Sequence, residues 1–64
     1  MRGEFIEQLK NLFKEIDGYT EAQFDALVAR HSTVVLHGVM GGTPERTREA
    51  LLVAEEQLKN QPLH

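Results

Sequence analysis

Two breaks set the limits of what this chain can build. Asp17-Gly18 and Gly41-Gly42-Thr43-Pro44 divide its 64 residues into three segments, each with apolar residues at helical spacing. The first segment predicts a helix over 4–17. Phe5, Ile6, Leu9, Leu12, Phe13 and Ile16 form one stripe at the 3.6-residue period, and charged and amide side chains take the other side. Gly18 suits the left-handed position that follows a helix.

The second segment predicts a long helix over 21–39. Thr20 caps it, Gln23 completes a capping box three residues on, and Tyr19 and Phe24 stand where a hydrophobic staple packs. Its first apolar stripe is Phe24, Leu27, Val28, His31, Val34, Val35 and Val39. A second stripe of mostly small residues runs opposite: Ala22, Ala26, Ala29, Thr33, Leu36 and Met40. A helix apolar on two sides needs two neighbours, and the short 18–20 connection supplies one, the first helix, as an antiparallel hairpin. Thr33–Val39 also reads as a strand, since Val34 and Val35 favour strands and Gly38 weakens a helix. A lone strand has no partner within the chain and would need a sheet between chains, so helix is the reading adopted, with a kink or fraying from Gly38 onward.

The third segment predicts a helix over 44–60, capped by Thr43 and started by Pro44 and Glu45. Thr47, Ala50, Leu51, Ala54 and Leu58 are its stripe, Leu52 and Val53 widen it, and Glu55–Lys59 is a four-apart ion pair. Residues 61–64 read as a loose tail. The expected fold is a single all-α domain: a helical hairpin plus a third helix, self-associating into a helical bundle. At this length apolar burial and the cost of ordering the chain are about equal. With no cysteine to staple it, a second copy or another partner is expected to complete the core.

The chemistry is sparse. Net charge is −3, with seven Lys and Arg against ten Asp and Glu spread evenly along the chain. No basic block exists to attract a phosphate backbone. The longest stretch free of these charges, His31–Pro44, is 14 residues, too short for the ~20 of a membrane span. The start of the chain reads as a charged helix rather than a signal segment, so a soluble cytoplasmic protein is expected. His31 and His37 are six apart, whereas metal-binding pairs on a helix are three or four apart. His31 reads instead as a core or interface histidine. Ser32 beside His31, and Asp25 seven residues earlier, lack a base that completes a nucleophile site. Glu55 and Glu56 read as an exposed charged face. The glycines at 38–42 lack the lysine of a phosphate loop and read as a turn. No catalytic residue, metal ligand or cofactor site is expected.

The layout of helices resembles that of small bacterial and phage-type regulators and of secretion co-chaperones, in architecture alone. The expected function is therefore protein–protein interaction without chemistry: a small regulator, inhibitor or adaptor, dimeric, with Ala22, Ala26, Ala29, Thr33, Leu36 and Met40 as interface residues and an unidentified protein as partner. The alternatives are a dimeric DNA-binding regulator using Arg46 and Arg48 at the start of the third helix, or a small subunit of a larger assembly.

Overall fold

The computed structural model describes residues 2–61, and these are all-helical, with no strand among them. Four helices follow one another: α1 (Arg2–Asp17), α2 (Glu21–Arg30), α3 (Ser32–Gly41) and α4 (Pro44–Lys59). The tail residues Pro62, Leu63 and His64 lie outside the described residues.

The local signals act where the sequence places them. Gly18 closes α1 at φ +69°, a conformation that suits a residue without Cβ. The Tyr19 amide then donates back to the Phe13 carbonyl at 3.0 Å. Thr20 Oγ1 accepts from the Gln23 amide at 3.1 Å, and Gln23 Oε1 accepts from the Thr20 amide at 2.8 Å. Tyr19 and Phe24 both lean on Phe13, with ring centroids 4.9 and 5.8 Å away. Thr43 caps α4 by accepting from the Arg46 amide at 3.2 Å, and Pro44 fills the first helical position, where a missing N–H costs nothing.

The second segment departs from expectation. It forms two helices, not one continuous helix over 21–39, and the break falls at His31 (φ −124°, ψ 44°) rather than at Gly38. His31-Ser32-Thr33-Val34-Val35 is a run of weak helix formers, so breaking there costs little. Gly38 stays helical because its missing side chain is what lets α3 meet α4. A Cβ at Gly38 would overlap Thr47 Oγ1 and come within 3.1 Å of the Phe5 ring. Thr33–Val39 is helix throughout.

Leu9 and Phe13 of α1, Phe24 and Leu27 of α2, Val35 of α3 and Leu51 of α4 form the core. Phe5, Ile6, Tyr19, Val28, Val34, Val39 and Leu52 pack around it. Gly38 lies beside Thr47 at one end of α3, and His31 beside Glu55 at the other, so α3 and α4 run antiparallel across the Gly42-Thr43 turn. Ile16 continues the apolar stripe of α1 yet stands 59% exposed.

Candidate interaction surface

All six residues of the small-residue stripe, Ala22, Ala26, Ala29, Thr33, Leu36 and Met40, lie on the exposed surface. The opposite stripe fills the core or its margin: Phe24, Leu27 and Val35 are buried, and Val28, His31, Val34 and Val39 are half-buried. The 3.6-residue phase carries through the break at His31, so the stripe forms an outward ridge shared by α2 and α3. Small side chains on its α2 half let another backbone approach closely. Leu36 and Met40, 49% and 75% exposed, are the large apolar groups on its α3 half.

A cleft lies on each flank of the ridge. An open apolar groove of about 240 Å³ is lined by Ile6, Val28, Ser32, Val35, Leu36 and Val39. A more polar hollow of about 260 Å³ is lined by Tyr19, Gln23, Ala26, Arg30 and Glu55. Leu36 therefore borders one cleft and Ala26 the other. Val53 and Leu58 of α4 leave further apolar surface open, 56% and 49% exposed.

Charges lock the helices together at two places. Arg48 of α4 grips Asp17 at the end of α1 with two parallel bonds, Nε to Oδ2 at 2.8 Å and Nη2 to Oδ1 at 3.0 Å. Both side chains are largely buried, and the Asp17 carboxylate raises the Arg48 pKa further, so the guanidinium stays charged. Glu55 of α4 gathers two partners from the α2–α3 junction. Arg30 donates through Nε at 3.1 Å and Nη2 at 3.0 Å, and His31 Nε2 lies 2.6 Å from Oε2. An ionised carboxylate only accepts, so the proton of His31 sits on Nε2. The Arg30 bonds, and next the His31 bond, hold the Glu55 carboxyl below the usual carboxylate range, against a smaller opposing effect of burial. A third pair, Lys10 Nζ to Glu21 Oε2 at 3.0 Å, is more open to water.

These contacts revise two expectations. Glu55 is not part of an exposed charged face; its side chain is 19% exposed and turns to Arg30 and His31 rather than to Lys59. Arg48 is not free to meet a phosphate. His31 is half-buried with Nε2 bonded, as expected of a core or interface histidine, while His37 is exposed. Arg30–Glu55 and Arg48–Asp17 span 25 and 31 residues of sequence, and no local spacing marks them. Among the described residues no three His, Asp or Glu gather as metal ligands, and no helix is long and apolar enough to cross a membrane. No family model, curated protein or solved structure matches the chain.

Proposed function

We propose that this chain is a non-enzymatic protein–protein interaction module: a small cytoplasmic regulator, inhibitor or adaptor that works as a two-fold homodimer and presents apolar helix faces to a protein partner. In this reading α1 and the α2–α3 segment form a helical hairpin, α4 is the third element, and two copies complete a bundle. The observation that carries the reading is the ridge itself. Its six residues remain on the surface while the opposite stripe of the same segment is consumed by the core. Two copies meeting ridge to ridge satisfy the self-complementarity of a two-fold contact.

Ala29, in the middle of the ridge, provides the test. It is exposed, so an arginine there fits the isolated fold. At a close helix contact the same arginine is buried unpaired, at about 3–5 kcal/mol, which is more than a hundredfold in affinity. Ala29→Arg is therefore expected to leave helicity intact and abolish association, read by light scattering and by co-purification with the native partner. Wild-type association of Ala29→Arg removes the ridge from the interface. The DNA-binding alternative is weakened by the Arg48–Asp17 pair, which leaves Arg46 as the exposed arginine at the start of α4. Salt-dependent retention on duplex DNA, lost on Arg46→Ala with the dimer intact, would reinstate it.

A further inference from the structure

The spacing along the exposed ridge is itself a pattern. Ala22, Ala26, Ala29, Thr33, Leu36 and Met40 are separated by steps of four, three, four, three and four residues. That alternation is the seven-residue repeat of a coiled-coil seam, along which two helices lie side by side. The His31 amide bonds to the Leu27 carbonyl and the Val35 amide to the His31 carbonyl, both four residues back, so the helical screw is carried past the junction. On the α3 half the seam is made of large apolar groups, Leu36 and Met40, open to solvent.

The two flanks of the seam differ in charge. Gln23, Arg30 and His37 repeat every seven residues along one flank, and Asp25, Ser32 and Val39 along the other. Asp25 is exposed and enters no ion pair among the described residues. Arg30 gives Nε and Nη2 to Glu55, which leaves its Nη1 hydrogens to donate, and its side chain is 47% exposed. One flank therefore offers a carboxylate and the other a cationic donor.

A second copy lying parallel on the seam brings unlike flanks together; an antiparallel copy brings like flanks together. In the parallel arrangement Asp25 falls opposite Arg30 of the second copy, five positions further on, and two-fold symmetry makes that pair twice. In an antiparallel arrangement centred on His31, Arg30 falls opposite Arg30 of the second copy, and Asp25 falls opposite Val39. The first arrangement matches opposite charges. The second sets two cations together and a carboxylate against an apolar side chain.

We infer that a second copy docks on the ridge in parallel, with the same residues face to face along the seam and Asp25 of each copy paired with Arg30 of the other. This rests on the reading of the ridge as the homodimer contact, and it adds the direction and register of that contact: Ala22 meets Ala22, and Met40 meets Met40.

The chain has no cysteine, so a single introduced thiol reports the pairing. Ala22→Cys and Met40→Cys, both at exposed positions, are made as separate full-length proteins. Each is equilibrated in a glutathione buffer alone and in a mixture of the two. The expected result is a disulfide-linked dimer from each variant alone. Cross-links that form only in the mixture, joining one variant to the other, overturn the parallel register and leave the ridge contact standing. No cross-link in any sample, with wild-type helicity in both variants, overturns the register and the ridge contact together. Asp25→Asn tests the charge pair by light scattering. Its dimer dissociation constant is expected to rise about threefold at low salt, with the difference from wild type narrowing as salt is added. An unchanged constant at low salt overturns the pairing of Asp25 with Arg30.

Discussion

Gly38 sits inside a helix, where glycine costs about 1 kcal/mol relative to alanine. On propensity alone, Gly38→Ala should stabilise the chain. The structure reverses the sign, because the added methyl meets Thr47 Oγ1 and the Phe5 ring on two other helices. Gly38→Ala is expected to lower stability by about 1–3 kcal/mol through overpacking, read as a lower urea midpoint. Glu55 gives a prediction in pH. Its folded-state pKa is lowered from 4.5, so the unfolded chain binds its proton more readily. The stabilisation is complete above that ordinary value and is lost as pH falls through the folded one. Glu55→Gln is expected to lower the urea midpoint at neutral pH, and the gap from wild type should close in acid. A gap constant from neutral pH into acid would show that the carboxylate charge contributes nothing.

The elements show which parts of the fold were legible in sequence. The ends of α1, the start of α2 and the start of α4 are set by residues within six positions of one another: Gly18 with Tyr19 and Phe13, Thr20 with Gln23, and Thr43 with Arg46. Local chemistry suffices there, and periodicity sorts most of core from surface, though Ile16, Ala50 and Leu58 stand exposed on their stripes. Thr20→Ala is accordingly expected to cost about 1 kcal/mol of stability, measured in urea; an unmoved midpoint would mean that the capping box does not hold α2. The break at His31 was not legible. The apolar periodicity runs through it unbroken, the weak helix formers at 31–35 mark it only faintly, and the side chain that meets His31, Glu55, lies 24 residues away. Gly38 was misjudged as a weak point for the same reason, since its partner Thr47 belongs to another helix. Arg48 was weighed as a DNA contact because its charge is visible in sequence and its bond to Asp17, 31 residues earlier, is not. Arg48→Ala therefore belongs to stability as well as to any test of DNA binding. Leaving the largely buried Asp17 unpaired is expected to lower the urea midpoint, and a midpoint equal to wild type would show that the pair does not help hold α1 to α4.

At the scale of the molecule, six side chains form the buried apolar core among the described residues. Ile16, Leu36, Met40, Val53 and Leu58 remain about half exposed or more. The ridge was legible because small residues at helical spacing opposite a core stripe have few roles in a lone domain. The groove beside Leu36 was not, because Ile6 reaches it from α1. Self-association is the central claim, and light scattering over a concentration series, with melting followed in parallel, tests it most directly. The expected result is a mass twice the 7.3 kDa of the chain at micromolar concentration, with a melting midpoint that rises with protein concentration. A mass of 7.3 kDa throughout, with a midpoint independent of concentration, would contradict it.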